Sequence, residues 1–416
     1  MRYKYDIHKG VTRIKTKSTA VISSLILVAS GLGVSLVFPL AAHAVACTTV
    51  STSKGSLTAA QIGGNVTGNL DASGCDIGVY YNGSNTGNVN GASIHDANKY
   101  GVLVDGNVAG STTVNIKDSE IYNIGNHTGG AYAPNGVQTG VGIYYYGVST
   151  VGTLKGNVTN DNVYNYQKGG IVVNGSNAKG TVNDNIVTGA GPVNYTAQNG
   201  IQLGFGATGE VAHNTVTGNS YTGSNYASSG GVLIYGGCGY PESTANIHDN
   251  TLIGNDVGVY SVNYDSSCTD VTPNVTKVKI VDNYIRYNAV NNTTGLCGGS
   301  DLSSCGGQYI GYQAGVDDVG NTDKICGNEI SGAGYAYQGE YDYSHTPPVF
   351  TQTGPNSAVV RHVDAGDTFP TTNPQICGQD HHGDKNHQQD NDKHRDKYNH
   401  ERHGDNDRRH RDSDYR

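Results

Sequence analysis

The sequence predicts an all-β fold of stacked coils, on three observations. A phrase that opens a strand keeps returning: Asp161-Asn162-Val163, Asp184-Asn185-Ile186, His213-Asn214-Thr215-Val216, Asp249-Asn250-Thr251-Leu252, Asp282-Asn283-Tyr284-Ile285 and Gly327-Asn328-Glu329-Ile330. Between copies runs a second phrase, a glycine followed by alternating apolar residues: Gly101-Val102-Leu103-Val104, Gly170-Ile171-Val172-Val173, Gly200-Ile201-Gln202-Leu203, Gly231-Val232-Leu233-Ile234 and Gly258-Val259-Tyr260. Composition is the third: 60 Gly, 29 Tyr and no Trp suit tight turns and narrow strands, and no stretch beyond residue 45 sustains a helical period. Two short strands per repeat cannot bury an apolar face alone, but they can when coil stacks on coil.

Each element follows from these phrases. The apolar residues that follow the asparagines, Val163, Ile186, Val216, Leu252 and Ile285, are expected to enter one core. The asparagines Asn162, Asn185, Asn214, Asn250 and Asn283 are read as architectural, because stacked Asn side chains tolerate left-handed turns and hydrogen-bond to the next rung. The spacing of successive asparagines from Asn162 to Asn328, 23, 29, 36, 33 and 45 residues, implies a constant core with loops of variable length, which such arrays carry on the outside. The pattern of Asn, a β-branched strand and Gly-Ile/Val-x-Val resembles the right-handed parallel β-helix family, the pectate-lyase-like superfamily that includes NosD-like periplasmic proteins. The resemblance covers residues 47 to 377 and implies a right-handed parallel β-helix solenoid with N- and C-terminal caps. It implies no activity, since this fold hosts lyases, hydrolases, adhesins and structural proteins alike.

The chain divides into three parts. Residues 1–44 read as a secretory signal: Arg2, Lys4, Lys9, Arg13, Lys15 and Lys17 precede an apolar stretch, and Ala42-His43-Ala44 has the small-x-small pattern of a cleavage site. An uncleaved membrane anchor is the alternative, the apolar run of about 23 residues being long enough to span a bilayer. Residues 45–377 form the β-helix domain. Residues 378–416, with 9 Lys and Arg, 10 Asp and Glu and 7 His, hold almost nothing apolar and are expected to be a disordered tail. His381, His382 and His387 in that tail are metal-ligand candidates, imidazole being a ligand for zinc, copper and nickel. All eight cysteines follow the signal, as in a protein of an oxidising compartment. One-coil spacing in a parallel β-helix would pair Cys47 with Cys75 and Cys238 with Cys268, leaving Cys297 with Cys305 and Cys326 with Cys377.

Function should lie in the long loops at 123–139, 188–199, 217–230 and 288–314, which register would align along one edge. They carry the ligand-binding candidates Tyr132, Gln138, Tyr195, Gln198, Tyr221, Tyr226, Tyr309 and Tyr312. The first three loops contain no Asp, Glu, Lys or Arg. Glycosidic hydrolysis needs paired carboxyl groups, whereas tyrosine faces beside neutral amides suit holding sugars. Between residues 45 and 377, 11 Lys and Arg face 24 Asp and Glu, a net charge of −13 that disfavours nucleic acid and polyuronates. Against polygalacturonases of this fold, Asn321-Thr322-Asp323 is present but Asp317-Asp318 precedes it, and the Gly-His-Gly and Arg-Ile-Lys elements are missing. The expectation is a secreted or cell-surface protein that binds an extracellular glycan or cell-envelope polymer, or serves as an adhesin, without catalysis. No cofactor is expected, calcium being the one ion that clustered turn carboxylates would suit. The alternative is a polysaccharide lyase or glycoside hydrolase using Asp317, Asp318, Asp323 and Glu340, the densest acidic group of the body.

Overall fold

The computed structural model describes residues 45–147, 151–223, 228–237, 239–263, 277–286, 314–320, 323–331, 335–342 and 349–352, all within the unit His43–Arg416. Every regular element among them is a strand. The proposed signal, the tail with His381, His382 and His387, and Tyr226, Tyr309, Tyr312, the Cys238–Cys268 and Cys297–Cys305 pairs and Cys377 of the expected Cys326–Cys377 pair lie outside the described residues.

The strands fall into three parallel ladders, one more than the two phrases predict. The first ladder stacks the glycine-led strands, among them Tyr100–Asp105, Val141–Tyr146, Gly169–Asn174, Asn199–Gly204, Gly230–Gly236 and Val257–Asn263. The second stacks Gly110–Lys117, Gly152–Thr159, Ala178–Asn183, Thr208–Ala212 and Thr244–His248. The third stacks Glu120–Ile124, Asn162–Tyr166, Ile186–Val193, Thr215–Tyr221 and Thr251–Ile253. Along the chain the ladders are visited in the order first, second, third, and the cycle repeats, a connectivity compatible with a β-helix. The second ladder escapes the sequence phrases because its strands alternate short or polar outward residues with single inward apolar ones. Ala178–Asn183, for instance, reads Ala-Lys-Gly-Thr-Val-Asn.

The core is one column from each ladder. Ile143, Ile171, Ile201, Val232 and Val259 from the first, Val182, Val211 and Ile247 from the second, and Ile121, Val163, Val187, Val216, Leu252 and Ile285 from the third are all fully buried. The glycine of the second phrase makes room for this meeting: a Cβ at Gly170 would lie 2.5 Å from Val187 Cγ1, and one at Gly200 would collide with Val216 Cγ1. Four of the five residues expected in the core are there, but Ile186 is 53 % exposed and Val187 takes its place. Register explains this. Asn162 pairs with Ile186 and Val163 with Val187, so the phrase at 161–163 is displaced by one residue from its neighbours, and a one-residue offset exchanges the faces of a strand.

At the near end, Thr48–Thr52 turns back antiparallel on Gly55–Ile62, which in turn pairs in parallel with Ile77–Asn82. The hairpin covers the first rung, and the Cys47–Cys75 disulfide fastens it there with a Cα separation of 5.4 Å. This is the pair that one-coil spacing predicts. At the far end Val349–Gln352 lies antiparallel to Tyr335–Asp342, so the last described parallel strand is also covered.

Candidate functional site

Two regions gather polar side chains. The first is the corner between the second and third ladders, where the asparagines stack. Asn185, Asn214, Asn250, Asn283 and Asn328 form one continuous ladder, and the residues just before them, Asp184, His213, Asp249, Asp282 and Gly327, adopt the left-handed conformation. Asn214 shows the pattern. Its Oδ1 accepts from the backbone N–H of Asn185 at 3.0 Å and from the Asn185 side chain at 2.9 Å, while its own Nδ2 donates to Val182 O at 2.7 Å and to Asn250 Oδ1 at 2.9 Å. Asn214 and Asn250 are almost fully buried and each uses both ends of its amide within the chain, so the ladder is scaffolding.

Asn162 is not part of this ladder. The one-residue offset of its phrase puts Asp161 in its place: Asp161 N donates to Asn185 Oδ1 at 2.9 Å, and Ser119 N donates to Asp161 Oδ1 at 2.8 Å. Asp161 is 2 % exposed, its Oδ2 is enclosed with no hydrogen-bond partner among the described residues, and burial pushes its carboxyl up to about 7. A groove of about 630 Å³ runs over this corner, lined by Asp118, Ser119, Glu120, Asp161, Asn162 and Asp184 among others. A raised carboxyl beside Glu120 resembles the start of an acid–base pair. However, a substrate cannot reach an oxygen that is closed to solvent, and the ladder by itself accounts for the burial.

The second region is the edge formed by the long loops. Segments 126–139 and 188–199 touch, with Gln138 Nε2 3.0 Å from Thr196 Oγ1, and the next loop follows, with Thr222 N donating to Val193 O at 2.8 Å. Buried amides hold them. Gln167 accepts from the N–H groups of Asn126 and Asn135 and donates to Val137 O at 2.6 Å, and Gln198 accepts from Ala190 N at 2.9 Å and donates to Tyr166 O at 2.6 Å. Lys168 donates to Ala197 O at 2.6 Å, and burial pulls its ammonium down to about 8.

The candidates therefore separate. Gln198 is fully buried and Tyr221 is 2 % exposed, so these two face the loops' own interior, where the Gln198 amide seats the backbone. Gln138 is exposed, and Tyr132 and Tyr195 are half-buried on the same edge. Tyr132 meets His127 edge to face with ring centroids 5.8 Å apart. Gln167 was missed by sequence reasoning, since nothing distinguishes a loop-seating amide from a ligand-binding one until burial is known.

The acidic candidates lie elsewhere. Asp317 and Asp318 sit in the strand Ala314–Gly320 and Glu340 in Tyr335–Asp342, both of the first ladder. Asp323 opens Asp323–Cys326 in the second ladder, is fully buried, and accepts from Ser261 Oγ at 2.6 Å. Comparison of the chain with protein-family models, curated proteins and solved structures returns no match.

Proposed function

We propose that this chain is an exported or surface-held right-handed parallel β-helix whose loop edge binds a neutral or weakly charged glycan of the extracellular space or cell envelope without cleaving it. The reading rests on one observation. Three consecutive loops free of Asp, Glu, Lys and Arg are seated on each other and leave Tyr132, Tyr195 and Gln138 partly or fully exposed. Flat aromatic faces and neutral amides recognise sugar rings and hydroxyls, and a body charge of −13 turns polyanions away. A signal ending at residue 44 and the Cys47–Cys75 bond accord with export.

The test is a glycan array with Tyr195→Ala and Gln138→Ala. Both should lose binding at least ten-fold, and Gln138→Ala should leave the melting temperature within about 2 °C, because an exposed loop side chain contributes little to stability. Release of reducing sugar or unsaturated uronate from a polysaccharide panel, abolished by Asp318→Asn, would replace this reading with the enzymatic one.

A further inference from the structure

One cluster of donors lies away from the loop edge. In the second ladder Ala212 pairs with His248, so the residues that follow, His213 and Asp249, occupy the same corner one coil apart, both in the left-handed conformation. Ligand atoms of His213, His248 and Asp249 all lie within 4.8 Å of one another. The two imidazoles are 5.8 Å apart and nearly perpendicular, at 83°, so they are not stacked face to face. His248 is gripped at both nitrogens: Nδ1 lies 2.8 Å from Asp249 Oδ2 and Nε2 lies 2.8 Å from Glu210 Oε1.

We propose that His213, His248 and Asp249 form a binding site for a divalent first-row transition ion of the zinc type, with Glu210 orienting the His248 ring. Two imidazoles and a carboxylate are a ligand set that zinc accepts, and the fourth position stays open to water. Calcium prefers all-oxygen sites and is disfavoured. With bonds of about 2.1 Å, a tetrahedral ion needs its donors about 3.4 Å apart. No donor pair therefore has to move by more than about 1.4 Å, the His248 Nδ1–Asp249 Oδ2 pair at 2.8 Å opening slightly and wider pairs closing. His213 and Asp249 are exposed and His248 half-buried, so side-chain rotation supplies that movement without disturbing the core. Glu210 completes the arrangement: by holding Nε2–H it presents Nδ1 towards Asp249, as carboxylates do behind metal-bound histidines.

Position in the fold sets this group apart. The same corner carries Asp118, Asn160, Asp184, Asp282 or Gly327 in other coils, and none of these stands beside a strand-end histidine. The other such cluster among the described residues, Asp71 with His95 and Asp96, has its His95 ring stacked on Tyr122 at 5.0 Å with Nε2 3.1 Å from Asn69 Oδ1, while His127 Nε2 meets Asp96 Oδ1 at 3.3 Å from outside the cluster.

The experiment uses the full chain and two probes: zinc, counted by equilibrium dialysis, and cobalt, read by its visible absorption. His213→Asn and Asp249→Asn keep residue types that tolerate the left-handed backbone, and circular dichroism checks that each variant is folded. Each should bind one zinc fewer than the wild-type chain and lose the cobalt absorption of the body site. Glu210→Gln should weaken zinc binding ten- to a hundred-fold without changing the count. His95→Gln should change neither reading, and a variant with His381, His382 and His387 replaced by Ala should keep the cobalt absorption. Equal zinc counts in the wild type and His213→Asn, or a cobalt spectrum lost only with the tail histidines, would overturn the proposal.

Discussion

Asp161→Asn should stabilise the protein, and increasingly so as pH rises above about 4. In the ladder every asparagine from 185 onward donates through Nδ2 to a carbonyl of the preceding coil; for Asn185 that acceptor is Val158 O at 2.9 Å. The matching acceptor for residue 161, three residues before Ser119, is Ile116 O, and Asp161 presents an oxygen where an N–H belongs. Protonation of Oδ2 restores a donor. The folded chain thus holds this proton more tightly than the unfolded chain does, the carboxyl rising from an ordinary 3.8 to about 7 through burial. Its contribution to folding is complete below about 3.8 and fades as pH climbs through about 7. At about 1.4 kcal/mol per pH unit the whole effect is at most about 4 kcal/mol. Asparagine carries a permanent donor and does not titrate. In urea unfolding followed by circular dichroism, Asp161→Asn should therefore exceed wild type by about 2–4 kcal/mol at pH 8 and by less than about 1 kcal/mol at pH 4. Other titrating groups cancel in the difference between the two proteins. A difference independent of pH, or a less stable variant at pH 8, would refute the reasoning.

Removing a full ladder member should be costly: Asn214→Ala strands the Asn185 donors and the Val182 carbonyl and is expected to lower stability by at least about 3 kcal/mol in the same assay. The register at the third ladder can be checked by a pair of variants, since Val187→Ala should cost about 2–3 kcal/mol whereas Ile186→Ala should stay within about 0.5 kcal/mol. Cys75→Ser opens a link across 28 residues and should cost about 3–4 kcal/mol, measured on oxidised protein. If reduction leaves the wild-type unfolding curve unmoved, the Cys47–Cys75 bond is dispensable.

The two phrases made most of the first and third ladders legible, because buried β-branched residues and the glycines that admit them must recur wherever coils pack. Ala178–Asn183 was not legible: Lys179 and Thr181 point outward and hide the inward Val182 in a stretch of polar appearance. The displaced phrase at 161–163 misled for a different reason. Asp161 and Asn162 are both acceptable at a turn, and only the pairing of Val163 with Val187 shows which of them enters the ladder. At the loop edge, seating amides and surface amides have the same letter, so Gln198 could not be told from Gln138. The His213 and His248 cluster did carry a usable signal, since its members are one coil apart, the same spacing argument that paired Cys47 with Cys75.

Tension meets this protein unevenly. In parallel ladders the backbone hydrogen bonds run from coil to coil, so a pull on one end loads the last rung alone and peels it strand by strand at low force. Cys47–Cys75 changes this at the amino end, because force entering before residue 47 crosses the sulfur bridge to residue 75 and bypasses the three strands Thr48–Thr52, Gly55–Ile62 and Val66–Asp71. Those strands stay slack under load. A molecule held by its amino end would take the load first at Ile77–Asn82, the strand just beyond the bridge.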